Sequence, residues 1–259
     1  MKTYDCFIFH DELDFLELRL NILDPCVDKF IITDGNKTFS GNPKESVYLK
    51  NKERFSKWEK KIIHNFINIP YTISDPWAAG AYSRNSIMNL DIFEDDDLIL
   101  NSDLDEIPKP EIIEKKDEWL THNTHFTFQQ KRYVYYLNNY ETDQWFGTRA
   151  ATYKYLKNTS VENIREPAED RSLITGPIFN DGGWHFTFFG GEEIIKSKIQ
   201  SYAHTEFNTP EVLENISNNI KENKDPLSRE GYRYHKVDID NSFPDYIVKN
   251  QHNLSRWIK

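Results

Sequence analysis

Leu98-Ile99-Leu100-Asn101-Ser102-Asp103-Leu104-Asp105-Glu106-Ile107-Pro108 decides how the chain reads. Three large apolar residues in a row predict a short strand buried on both faces. Two aspartates one residue apart follow at once, so both carboxylates stand at the rim of the sheet that the strand joins. Pro108 and Pro110 then open a helix. The same alternation fills the residues upstream. Tyr4–Phe9 predicts a strand, and Asp11 an N-cap before a helix with Leu13, Leu16, Leu20 and Leu23 on one face, ended by Pro25. Lys29–Thr33 predicts a second buried strand closing on Asp34-Gly35, and Lys61–Ile67 a third, after a charged helical stretch at Lys50–Trp58. Asp75-Pro76 pairs a cap residue with a proline suited to the first helical turn. That helix is predicted to run through Arg84 and Asn85 to about Phe93. Alternation of this kind predicts an α/β fold with a mostly parallel central sheet flanked by helices. Ligands then bind beyond the carboxyl ends of the strands, at His10–Glu12, Asp34 and Asp103–Glu106. Residues 124–190 are strand-rich and aromatic, and Glu192–His204 and Pro210–Asn223 read as helices. With no repeat and no linker, residues 1–259 read as one domain.

Charge and composition exclude several functions. The chain has 259 residues, 32 Lys plus Arg against 42 Asp plus Glu, and a net charge of −10. That balance argues against nucleic acid as a partner and against an anionic membrane surface. The two cysteines, Cys6 and Cys26, form no CxxC pair, so neither a disulfide framework nor a thiolate zinc site is expected. No signal peptide and no transmembrane run is legible. A soluble, cytoplasmic protein is the expectation. Phosphate-loop, dinucleotide-turn, serine-elbow and HExxH signatures are all missing.

Asp-x-Asp occurs three times, at Asp95/Asp97, Asp103/Asp105 and Asp238/Asp240, but only the second pair directly follows a buried strand. Two carboxylates held close repel each other, and a hard divalent cation such as Mn²⁺ or Mg²⁺ relieves that repulsion. The plainer alternative is an acidic loop capping the next helix. Arg84, on the helix leading into this strand, offers a fork matched to phosphate oxygens. Further on, Gly182-Gly183-Trp184-His185 combines glycines that permit close approach with an aromatic face and an imidazole ligand, although a strand core would use the last two residues as well. These residues suit a sugar-nucleotide transferase. They also leave open a metal-dependent phosphoesterase or nucleotidyltransferase, a non-catalytic glycan-binding module, and a glycosidase.

Five stretches carry a resemblance. They are Phe15–Asn21, Phe30–Gly41 (FIITDGNKTFSG), Asp103–Pro108 (DLDEIP), Gly183–His185 and Pro244–Asn250 (PDYIVKN), in that order over nearly the whole chain. Together they resemble glycosyltransferase family 17, the β-1,4-mannosyl-glycoprotein N-acetylglucosaminyltransferases. The resemblance implies a GT-A-type nucleotide-sugar-binding domain, with residues 1–108 as nucleotide-binding half and 109–259 as acceptor-binding half with C-terminal helices. It also implies a UDP-GlcNAc donor, a glycan or glycoconjugate acceptor, Mn²⁺ (or Mg²⁺) as cofactor, and inversion at the anomeric carbon. Asp103 and Asp105 become its DxD pair, with Asp105 the direct metal ligand and His185 a further one. Phe9, His10, Asp34, Arg84, Asn85 and Asp103 fall where the nucleotide is held. Glu193, and after it Asp181, are the carboxylates expected to act as general base. The animal members carry a membrane anchor and more cysteines, neither of which is legible here.

Overall fold

The computed structural model describes residues 1–165 and 171–259. Nine strands form one sheet: β1 Thr3–Ile8, β2 Lys29–Gly35, β3 Ile62–Ile67, β4 Leu98–Asp103, β5 Glu106–Pro108, β6 His125–Val134, β7 Asn139–Thr152, β8 Ile178–Thr187 and β9 Tyr234–Lys236. The order is β3-β2-β1-β4-β7-β6-β8-β5, with β9 on β7. β3, β2, β1 and β4 pair in parallel, as the apolar runs predicted. Beyond β4 the sheet is mixed: β4–β7, β6–β7, β5–β8 and β7–β9 are antiparallel and β6–β8 is parallel. Parallel pairing therefore dominates the first half only. The α/β class, a central sheet flanked by helices, is as expected.

One topological fact shapes everything at the rim. β4 and β5 sit four positions apart in the ladder, yet only Leu104 and Asp105 separate them in sequence. Three peptide steps span at most ~11 Å. The ladder β4–β7–β6–β8–β5 must therefore curl until its two ends meet at the acidic bend. That closure sets His185 of β8 opposite Glu106 of β5, one residue past Asp105.

Helix Leu13–Leu23 packs Phe15, Leu16, Leu20 and Leu23 into the main core. Its N-cap is Glu12 rather than Asp11, with no side-chain capping bond, because the Asp11 carboxylate accepts from Ser197 instead. Helix Pro76–Asn85 starts as predicted, with Asp75 accepting from the amides of Trp77 and Ala78. It stops at Asn85 and passes into a 3₁₀ turn, Ser86–Asn89, well short of Phe93. The charged stretch before β3 is a short helix, Val47–Lys50, followed by a 3₁₀ turn, Lys52–Trp58. Helices Glu192–Ser201 and Pro210–Glu222 follow β8. Cys6 and Cys26 are free thiols, and burial raises both pKa values, that of Cys26 to about 12. Among the described residues no helix is long and apolar enough to cross a membrane.

Candidate active site

The acidic bend is held from below by a buried charge that the sequence did not flag. Arg19, on the core face of helix Leu13–Leu23, is fully buried. Its guanidinium donates to both Asp5 oxygens, at 2.7 and 2.8 Å, and to the Ser102 hydroxyl at 2.5 Å. Its Nη1 donates to the carbonyls of Asp103, Leu104 and Glu106 at 3.1, 2.9 and 2.8 Å. Three carbonyls of the bend thus point inward, which fixes the backbone from which the Asp103 and Asp105 side chains emerge. The guanidinium has five N–H groups for these six acceptor atoms, so the two on Nη1 are shared among the three carbonyls.

Glu106, also fully buried, ties the bend to the opposite wall. It accepts from Arg165 at 2.7 and 2.9 Å, from Trp145 Nε1 at 2.7 Å and from the Asp103 amide at 2.9 Å. Asp103 bridges two arginines, Oδ1 to Arg84 at 3.1 Å and Oδ2 to Arg165 at 3.0 Å. Burial pushes its carboxyl up, but Arg165 and Arg84 outweigh that and hold it at about 2. Arg84 in turn pairs with Glu162. Asn85, its neighbour, accepts from the Glu162 amide and so fixes that partner rather than lining the cleft.

Asp105 faces another way. Its Oδ2 accepts from Lys198 at 2.5 Å and its Oδ1 lies 3.5 Å from His185 Nε2. Burial disfavours its charge, yet Lys198 and His185 hold its carboxyl far below the usual range. The His185 ring stacks on Trp145, with centroids 4.6 Å apart, and its Nδ1 is buried without a partner among the described residues. The DxD carboxylates therefore do not converge on one point, and among the described residues no three acidic, His or Cys side chains form a ready-made metal cage. What fits a divalent ion is the Asp105–His185 pair. Asp105 Oδ1 and His185 Nε2 face each other at 3.5 Å on the cleft wall and are the residues that would hold such an ion, which would supply a Lewis acid for a phosphate oxygen. Mg²⁺ and ions like it commonly take only one or two protein ligands and complete their shell with phosphate and water.

Both aspartates line a cleft of about 980 Å³ at the carboxyl ends of β1, β2 and β4. Phe9, His10, Arg84, Arg165, His185 and Lys198 share it. Asp34 does not, although its neighbours Thr33 and Gly35 do. Asp34 is buried against Lys44 at 2.7 Å and His64 at 3.7 Å, which keep its carboxyl ionised below the ordinary range despite burial. The expected bases lie elsewhere. Glu193 is 88% exposed and pairs with Lys196 on the solvent side of its helix. Asp181 is held by Lys109 and Lys131. Neither borders the cleft. Trp184 is buried, with its Nε1 donating to Ser242 O, and so offers no face to a sugar. The glycine pair serves strand packing: a Cβ on Gly183 would stand 2.2 Å from Ile107 O, and one on Gly182 2.8 Å from Phe179 O.

Although the chain is strongly acidic, the cleft is not. Lys37, Lys44, Arg84, Arg132, Arg165, Lys198 and Arg229 line it against Glu12, Asp103, Asp105, Asp143 and Glu206. Of these cations only Arg84 was expected from the sequence; Lys37, Lys44, Arg132, Arg165, Lys198 and Arg229 were not. Lys198 sits four residues after Ile194, and Arg19 three after Leu16 and four before Leu23. A charge on the apolar stripe of a helix was the available signal.

The sequence profile of glycosyltransferase family 17 matches residues 1–228. Among solved structures, a crystal structure of S. aureus TarS 1–349 is similar over 80% of this chain and 69% of its own, at 12% identity and a TM-score of 0.42. Another crystal structure of S. aureus TarS is similar at 13% identity and a TM-score of 0.45, over 80% of this chain and 42% of that one. No curated protein matches in sequence.

Proposed function

The chain belongs to glycosyltransferase family 17, and from that premise we propose that it moves N-acetylglucosamine from a UDP-sugar to a glycan hydroxyl, with inversion at the anomeric carbon. The observation that carries this reading is the cation-rich cleft around Asp103 and Asp105, at the carboxyl ends of parallel strands, within a chain of net charge −10. A cleft with that excess of cations suits a diphosphate better than a neutral sugar.

The roles follow from position. Phe9, His10, Thr33 and Gly35 border the end of the cleft where a nucleoside fits, beyond β1 and β2. Asp105 and His185 hold the divalent ion, Mn²⁺ or Mg²⁺, which when bound draws charge from the departing diphosphate. Lys198, already charged beside Asp105, orients phosphate oxygens from the same wall. Arg84 and Arg165 keep Asp103 ionised, so that its carboxylate accepts from a ribose hydroxyl or a water. Trp145 and Arg132 close the wall behind His185 and exclude solvent there.

A thermal-shift panel of UDP-sugars, with and without MnCl₂, tests the reading on wild type and Asp105→Asn. Wild type should be stabilised by UDP-GlcNAc plus Mn²⁺ more than by either alone, and the variant should lose the Mn²⁺-dependent part. A wild type indifferent to every UDP-sugar would refute the assignment. Cleavage of simple phosphodiesters instead would favour a phosphoesterase.

A further inference from the structure

A second, smaller cavity of about 200 Å³ abuts the cleft between the start of helix Leu13–Leu23 and the start of helix Glu192–Ser201. Its apolar lining includes Phe15, Phe186, Phe189 and Ile194. Glu12, Leu104, Asp105 and Lys198 belong to both spaces and form the partition between them. A transferase needs its second substrate next to the bond being broken, and this partition carries the ion-holding carboxylate. Accepting the cleft as the donor site, we propose that the smaller cavity receives the acceptor sugar and that Glu12 is the general base.

Three observations carry this. First, aromatic surface with a polar rim suits a sugar, whose C–H face is apolar and whose edge is hydroxylated. Second, Asp11, on that rim, accepts from Ser197 with Oδ2 but keeps Oδ1 buried and unpartnered among the described residues. Third, most cleft carboxylates are already engaged: Asp103 by Arg84 and Arg165, Asp105 by Lys198, Glu206 by His204. Glu12 feels the charge of Lys198 but has no cation within ion-pair distance among the described residues, and its one hydrogen bond there is a long one, 3.3 Å from the Asp11 amide. Asp143 also has no ion pair among the described residues, but it borders the large cleft and not the smaller cavity.

The step balances. The acceptor oxygen forms a bond to the anomeric carbon as its proton passes to Glu12. The bond from that carbon to the diphosphate oxygen breaks, and the nucleoside diphosphate leaves with the electron pair. Glu12 then returns the proton to solvent.

The test uses the full chain with UDP-GlcNAc and MnCl₂, and follows UDP release with and without a panel of p-nitrophenyl glycosides. Glu12→Gln should keep wild-type Tm and UDP affinity while UDP release falls by about 10²-fold or more, with or without acceptor. Ile194→Trp, which fills the cavity from its wall, should raise acceptor KM by about tenfold and leave donor KM unchanged. A Glu12→Gln protein that releases UDP at the wild-type rate overturns the assignment of the base. An unchanged acceptor KM in Ile194→Trp, or a panel that never stimulates wild type, overturns the acceptor site. A wild type that binds no UDP overturns instead the donor reading on which both rest.

Discussion

Arg19→Met keeps the length of the side chain and removes every donor beneath the acidic bend. Arg19 and Asp5 are both fully buried and joined by two bonds. Breaking a buried pair by deleting one partner costs about 3–5 kcal/mol, because the remaining charge is stranded. Three carbonyls and the Ser102 hydroxyl also lose a donor, at about 1 kcal/mol each once water is allowed to compete. The sum is about 7–9 kcal/mol, comparable to the whole stability of a typical domain at about 5–15 kcal/mol. Urea unfolding followed by tryptophan fluorescence reads this as a fall in midpoint at constant slope. Arg19→Lys should lose less, since it keeps the charge but reaches fewer acceptors. Asp5→Leu combined with Arg19→Met should recover about 3 kcal/mol by removing the stranded carboxylate. A single Arg19→Met protein within about 1 kcal/mol of wild type would refute the bracket, and with it the account of why the bend is ordered.

Two further outcomes follow from the site. Gly183→Ala should destabilise by about 2–4 kcal/mol, since the new Cβ meets Ile107 O at 2.2 Å where φ is +147°; retained Mn²⁺-dependent UDP binding in this variant would mean that β5–β8 contact does not seat His185. Asp103 and Asp105 both titrate below the ordinary 3.8, Asp103 at about 2. Their folded pKa values are depressed, so their contribution is present above the unfolded value near 4 and is lost on acidification, for Asp103 as pH falls through about 2. Asp103→Asn should therefore flatten stability-versus-pH below pH 4 and leave the slope between pH 5 and 8 unchanged, as measured by thermal melts across that range.

Much of the parallel half was legible because its strands are continuous apolar runs, which only a doubly covered sheet accommodates. Asp103 and Asp105 stood out for the same reason: they end such a run. Arg84 was legible as a cleft residue, but not its partners Glu162 and Asp103. Arg19, Glu106 and Lys198 stayed hidden because the meaning of a buried charge lies in what it meets, and their partners come from other strands and helices far along the chain. Glu193 illustrates the converse. Its place at a helix start was read correctly, but sequence order does not say which side of the first turn faces the cleft, and here it faces solvent.

The curled ladder bears on how the protein is made. Asp105 leaves the ribosome early, just after β1 and its neighbour β4, whereas the strand that brings His185 to it is synthesised only after β6 and β7. Until then β5 is three residues with no neighbour to zip against. A chain arrested before β8 thus carries the acidic bend and its Arg19 bracket but lacks His185 and Lys198, the two partners of Asp105. A product truncated there should be inert rather than partly active.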